Sequence, residues 1–380
     1  MQKAGKKVLF LVNHDVVIYN FRLELVERLL SDGYEVHISS PYGERIDDLV
    51  RLGAEYHEIK VDRHGMNPVK EILLLKQYRK LMSSIHPDVI FAYTVKPNIY
   101  GGIVAGKEHV PFIATVTGLG TSVENGGIKA SLVLMLYRLG LRYASMVYFQ
   151  NQANMNFMLQ KGVVSAAYGL LPGSGVNLPQ HCFEPYPGDT DEIVFITIGR
   201  IMKDKGTDEL LKAAEILKRK YPRIKFQMAG FFDGDYKEII RQAVNAGTVE
   251  YISQQKDIHP FIAESHAIIH PSHHEGMSNV LLEAAATGRP VLASDIPGCR
   301  ETFDEGKSGF GFRPKDVADL ACTIEKFILL PYEKKVQMGM AGRKKMEKEF
   351  DRRNVVETYM KEAEKIMEEK ETCSHSCTKN

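Results

Sequence analysis

Short runs rich in Val, Ile and Phe alternate with stretches of helical periodicity through the first half of the chain. The runs are Val8 to Asn13, Glu35 to Ser39, Glu55 to Val61, Asp88 to Tyr93, Phe112 to Thr117 and Met146 to Gln150. Strands of a parallel sheet are buried on both faces and therefore read as continuous apolar runs, so this alternation predicts a parallel sheet covered by helices. Between the first two runs, Phe21, Leu25, Leu29 and Leu30 fall at helical spacing and Asp32-Gly33 supplies a stop. A β-α-β unit thus begins at residue 8. A second series starts at Ile193 and continues through Lys225 to Ala229, Val249 to Ile252, Ala267 to His270 and Pro290 to Ser294. The pattern predicts two doubly wound α/β domains.

The segment LPQHCFEPYPGDTDE from Leu178 carries Pro179, Pro185, Pro187 and Gly188 with little apolar periodicity, and reads as a linker. The expected division is one Rossmann-like domain over 1–178, a linker over 179–192 and a second domain over 193–351. A helix over 352–370 bears a narrow stripe of Val355, Tyr359, Ala363 and Ile366, which predicts packing back on the first domain. Residues 371–380 read as a flexible tail.

Lys and Arg total 49 against 48 for Asp and Glu, so no overall field draws the molecule to nucleic acid or to an anionic surface. Any such attraction must be local. The segment MQKAGKKVLFLVNHD reads as a first strand, because Asn13, His14 and Asp15 interrupt its short apolar stretch. No stretch reaches the roughly 18 consecutive apolar residues of a spanning helix. The five cysteines, Cys182, Cys299, Cys322, Cys373 and Cys377, are dispersed and suit a reducing cytosol. Cys373 and Cys377 bracket His375, but further ligands for a metal clip are not evident nearby.

Ligands of open parallel sheets bind at the carboxyl ends of strands, where backbone amides and helix starts favour anions. After the run at Ile193 comes Gly199-Arg200-Ile-Met-Lys-Asp-Lys205-Gly206, a tight turn with a guanidinium and ammonium groups near a helix start. Such a turn either neutralises a diphosphate or is a solvated basic loop. After His270 comes PSHHEGMSNVLLEA, in which Glu275 and Glu283 have seven residues between them. Gly276 lets the backbone approach a ligand, and the amides of Ser278, Asn279 and Val280 open a helix toward a phosphate. Glu283, two turns along, suits a ribose diol, since a carboxylate accepts paired hydroxyl hydrogen bonds.

These motifs resemble the donor domain of the family-4 retaining glycosyltransferases of GT-B fold. Their hallmark is two glutamates with seven residues between, preceded by an apolar strand and P-S and followed by G-x-P-V-x-x-S. The chain matches with HPSHHEGMSNVLLEAAATGRPVLASDIPG, and G-R-x-x-x-x-K-G matches Gly199 to Gly206. The resemblance implies two Rossmann-like domains facing a central cleft. It implies Arg200, Lys205 and Glu275 as catalytic residues, the cations on the donor diphosphate and Glu275 on the transferred sugar. Gly199, Gly276, Met277, Ser278, Asn279, Val280 and Glu283 would complete the donor site, Glu283 on the ribose. A uracil nucleotide sugar is the implied donor substrate, and no cofactor or metal is expected.

The first domain departs from the family pattern. It reads Asn13-His14-Asp15 where many members have a diglycine, and Thr117-Gly118-Leu119-Gly120 where many carry a histidine. The segments TVKPN and TGLGT resemble a subgroup that builds bacterial surface polysaccharides and glycoprotein glycans on polyprenyl diphosphate carriers. That resemblance implies a polyprenyl-diphosphate-linked saccharide acceptor, with Lys96, Asn98, Thr117 and Gly118 on the acceptor side. It also implies a cytoplasmic enzyme, peripheral on the inner face of the cell membrane. The stretch Ile128 to Arg142, rimmed by Lys129, Arg138 and Arg142, reads either as a buried helix or as a surface that dips into anionic lipid.

Other signals lead nowhere. Asp189-Thr-Asp191 and Asp233-Gly-Asp235 read as turns rather than metal-holding pairs, and Gly118 with Gly120 lacks the third glycine of a nicotinamide site. His273 and His274 are adjacent and cannot both address one metal from a regular element. No carboxylate nucleophile stands out, which for a retaining enzyme implies front-face substitution. The rival readings are a nucleotide-sugar epimerase of the same fold and a non-catalytic nucleotide-sugar-binding subunit.

Overall fold

The computed structural model describes residues 5–62, 65, 67–120, 123, 126–190 and 192–377, with side chains as far as Lys370. Two compact units divide the chain: Met1–Ser174 with Arg353–Asn380, and Gly175–Arg352.

In the first unit, strands β1 (Lys7–Leu11), β2 (Glu35–Ser40), β3 (Glu55–Glu58), β4 (Val89–Tyr93), β5 (Phe112–Val116), β6 (Met146–Phe149) and β7 (Tyr168–Leu170) form one sheet. Their order is β3-β2-β1-β4-β5-β6-β7, and every pairing is parallel. The unbroken apolar run of β1 has a simple cause. Val8 and Phe10 join a core with Leu25 and Leu29, whereas Leu9 and Leu11 join the core on the opposite face with Tyr78 and Met82. Both faces of each central strand are therefore apolar.

The second unit repeats the plan with β8 (Val194–Ile198), β9 (Lys225–Ala229), β10 (Glu250–Ser253), β11 (Ala267–His270), β12 (Val291–Ser294) and β13 (Gly309–Phe312). Strand order is β10-β9-β8-β11-β12-β13, again parallel. The order reverses direction at β8 and β11, which creates the crevice where such sheets bind ligands.

Two strands carry no signal in the hydrophobic pattern. β7 is three residues long with glycine at its centre, and β13 reads GFGF, so neither shows an apolar run. The helix Arg352–Cys377 returns to the first unit, where Val355, Tyr359, Ala363 and Ile366 are buried with β1, β2 and β4. The Tyr359 hydroxyl lies 2.8 Å from Thr115 Oγ1. Its backbone continues past residue 371, where a flexible tail was expected; the side chains of Cys373, His375 and Cys377 lie outside the described residues.

The segment expected as a linker falls within the second unit. The fully buried Arg289 donates to the carbonyls of Glu184 at 3.0 Å and Pro185 at 2.8 Å, and the Tyr186 hydroxyl donates to His266 O at 2.8 Å. Prolines there lack the amide donors of a ladder, and the Pro185 carbonyl is met by a side chain.

The helix Gly127–Leu141 takes part of each expected reading. Ala130, Val133, Tyr137 and Leu141 are buried, while Ile128, Leu132, Met135 and Leu139 form an exposed stripe at 90%, 42%, 52% and 47%. Among the described residues, no helix is long and apolar enough to cross a membrane.

Candidate functional site

The basic turn after β8 and the acidic loop after β11 are locked together by backbone contacts. Gly206, at φ 70°, caps the turn, and a Cβ there would stand 2.0 Å from Pro271 O. Only glycine permits that approach. The His273 amide then donates to Asp204 O at 2.9 Å. Lys205 is in this way fixed beside the β11 loop.

Lys205 Nζ donates to Glu275 Oε1 at 2.5 Å, and His270 Nε2 lies 2.7 Å from the same oxygen. His270 Nε2 is also 3.2 Å from Ser278 Oγ. Burial opposes ionisation of Glu275, but the Lys205 ammonium and the His270 contact outweigh it and hold the carboxyl well below its ordinary range. His270 ends β11 inside an apolar run and was read only as a strand terminus. Its position at the carboxyl end of a central strand was the available signal.

Arg200 is exposed, and its Nη1 donates to Asp233 Oδ2 at 2.8 Å. Asp233 thus neutralises a guanidinium rather than simply shaping a turn. Asp191 lies outside the described residues. Gly199, Arg200, Lys205, Thr207 and His270 line one depression at the carboxyl end of β8.

The helix Asn279–Ala286 starts at Ser278 with no side-chain cap. Here the structure corrects the expected donor set. The Ser278 amide is occupied by Gly298 O at 2.9 Å, in a contact that needs Gly298, since a Cβ at φ 84° would meet Gly276 O at 2.6 Å. The Met277 side chain is buried in one apolar cluster with Leu281 and Leu282. Val280 is half-buried against the same cluster. First-turn amides of a helix have no intrahelical partner, so of the three expected amides those of Asn279 and Val280 remain candidates for a ligand. The Asn279 side-chain oxygen is buried without a hydrogen bond among the described residues.

Glu283 is half-buried, with His181 Nε2 at 4.0 Å from its Oε1. Burial pushes its carboxyl up to about 7, against the pull of Arg352. His181, from the segment read as linker, is a second residue that the sequence did not announce.

In the first unit, Lys96 follows β4, but its ammonium donates to Glu71 Oε1 at 2.5 Å in a largely buried pair. It is not a free cation. Asn98 is fully buried and donates to Thr115 O at 2.8 Å, so it ties the β4 exit to β5 and cannot face an acceptor. Thr117 and Gly118 stand half-exposed just past β5. Thr94, directly after β4, holds φ 72°, a strained conformation for a β-branched residue at a strand's carboxyl end.

Residues 183–345 match the family described as glycosyl transferases group 1, and residues 7–151 match glycosyl transferase 4-like. The chain is 26% identical over 376 residues to the N,N'-diacetylbacillosaminyl-diphospho-undecaprenol alpha-1,3-N-acetylgalactosaminyltransferase of Campylobacter jejuni, covering 94% of this chain and 98% of that one. It is 24% identical to the capsular polysaccharide biosynthesis glycosyltransferase CapM of Staphylococcus aureus, covering 89% and 94%. Among solved structures it is similar to Anabaena Alr3699/HepE in complex with UDP and glucose, with TM-score 0.76, 18% identity and 94% and 98% coverage. The sucrose-phosphate synthase of Thermosynechococcus elongatus gives TM-score 0.76 at 17% identity, covering 94% and 98%.

Proposed function

Since this chain belongs to the GT-B glycosyltransferases, with a 4-like first domain and a group 1 second domain, we propose that it moves a hexose or N-acetylhexosamine from a UDP-sugar to a polyprenyl-diphosphate-linked glycan, with retention. The observation that carries this reading is the convergence of Lys205, Glu275, His270 and the start of the helix Asn279–Ala286 at the β8/β11 switch point. The relatives that act in glycan and capsule assembly support the acceptor class.

Arg200 and Lys205 take the donor diphosphate, and the amides of Asn279 and Val280 add their first-turn dipoles. Glu275 accepts hydrogen bonds from the sugar hydroxyls and Glu283 from the ribose. The acceptor oxygen attacks the anomeric carbon on the face from which the diphosphate leaves. Its proton passes to the departing phosphate oxygen, and the fixed cations stabilise the charge that grows there. No divalent ion enters this scheme.

The stripe of Ile128, Leu132, Met135 and Leu139 with Lys129 and Arg142 at its rim fits peripheral contact with an anionic membrane on the cytoplasmic side, where a lipid-linked acceptor resides. The deciding experiment incubates the purified protein with UDP-sugars and with lipid-linked or free saccharides, and determines the anomeric configuration of the product by NMR. An α-linked product on the lipid-linked acceptor is expected. Release of an epimerised sugar, or binding of UDP-sugar without turnover of any acceptor, would overturn it.

A further inference from the structure

Cys182, Glu184 and His259 bring three different ligand atoms together in the second unit. Cys182 Sγ lies 3.3 Å from Glu184 Oε1 and 3.6 Å from His259 Nε2, and His259 Nε2 lies 3.5 Å from Glu184 Oε1. None of these residues has a part in sugar transfer as described above.

The hydrogen bonds around His259 fix its tautomer. The Thr287 hydroxyl has one proton, which it donates to Glu283 O at 2.9 Å. Its contact with His259 Nδ1 at 3.3 Å must therefore be an N–H donating to the hydroxyl oxygen. His259 Nε2 is the ring nitrogen turned toward Glu184 and Cys182. It faces the Glu184 carboxylate oxygen and the Cys182 sulfur, whose proton is directed to Glu184.

We infer that Cys182, Glu184 and His259 bind a zinc ion, with Thr287 as the positioning residue that orients the imidazole. Zinc bonds of about 2.3 Å to sulfur and about 2.0–2.2 Å to nitrogen and oxygen in tetrahedral array put ligand atoms about 3.3–3.6 Å apart, as these three are. The Thr287 contact matches the outer hydrogen bond that ligating histidines make through their second nitrogen. Cys182 is exposed, which leaves a path for the ion and a position for a fourth, solvent ligand. In the other converging group, His37, Glu55 and His57, the imidazoles stand 3.0 Å apart, within reach of a shared N–H···N proton. They need no cation between them.

The test uses the reduced full-length chain carrying Cys373→Ser and Cys377→Ser, so that tail thiols do not contribute. Cobalt(II) serves as the probe, because it occupies tetrahedral zinc sites and a thiolate ligand gives it a charge-transfer absorption. One cobalt per chain with that band, displaced by zinc, is expected. Cys182→Ser should abolish the band, and Thr287→Val should weaken zinc affinity at least tenfold in chelator competition. His37→Ala should change neither. No charge-transfer band in the parent, or an undiminished band in Cys182→Ser, would overturn the assignment. Since Cys182 is exposed, its substitution leaves the fold unchanged, as a coincident thermal melt will verify.

Discussion

The Lys205 ammonium and the Glu275 carboxylate are bonded to each other at 2.5 Å. The sequence assigned these side chains to different parts of the donor, one to the diphosphate and one to the sugar. In the fold each orients the other, and His270 holds the same carboxylate oxygen from the strand side. A half-buried carboxylate kept ionised by two neighbours is a preorganised acceptor.

Arg200→Ala and Lys205→Ala should each lower turnover at saturating donor by roughly a hundredfold, or about 3 kcal/mol in transition-state stabilisation. Arg200 is exposed, so its variant should melt like the parent. Steady-state rates within threefold of the parent in both variants would remove the cations from the mechanism.

Glu283 and Glu275 should respond to pH with opposite signs. The Glu283 carboxyl is raised to about 7 in the fold, so its contribution to stability is fully present below the unfolded value of about 4.3 and is lost as pH rises through 7. Glu275 is depressed, and its contribution is present above about 4.3 and lost as pH falls below it. Urea melts of Glu283→Gln should match the parent at pH 4 and exceed it at pH 8. Ribose hydroxyls favour the ionised form, so UDP should bind the parent more tightly at pH 8 than at pH 6, by calorimetry, and Glu283→Gln should lose that dependence.

Arg289→Ala should unfold at lower urea, with a loss of about 3 kcal/mol. The guanidinium donates to the carbonyls of Glu184, Pro185 and Ala263, which would lose that donor, and shares the Ile262 carbonyl with Ser265. An unchanged midpoint would mean that water replaces it.

Turnover should persist in EDTA, in the parent and in Cys182→Ser alike, because in the proposed mechanism side-chain cations and helix amides take the diphosphate without a metal. Loss of activity in both, restored by magnesium or manganese, would place a divalent ion in the reaction.

Sedimentation with anionic vesicles should depend on the exposed stripe. Each Lys or Arg near such a surface contributes about 1 kcal/mol, and inserted apolar side chains add to it. Arg138 is unsuited to this test, since its guanidinium donates to the carbonyls of Gly162 and Lys161 at 2.8 Å. Leu132→Glu with Met135→Glu, and separately Lys129→Glu with Arg142→Glu, should abolish sedimentation while transfer to a soluble acceptor continues. Undiminished sedimentation of both pairs would exclude this helix as the contact.

Local sequence determined the two parallel sheets, because strands such as Val8 to Leu11 and Ala267 to His270 need apolar side chains on both faces and so announce themselves. It also determined which loops carry charge past the strand ends, and the spacing of Glu275 and Glu283. Partnership was decided by the tertiary fold alone. Lys205 and Glu275 are separated by 70 positions, Lys96 and Glu71 by 25, and the Ser278 amide meets Gly298 O across a glycine contact, so no window of sequence contains both members. The same holds for Pro185, read as part of the linker: its carbonyl is answered by Arg289, which 104 positions separate from it. Hydrophobic period is a property of neighbours along the chain, whereas a hydrogen bond's partner is set by which loops the folded sheet brings together.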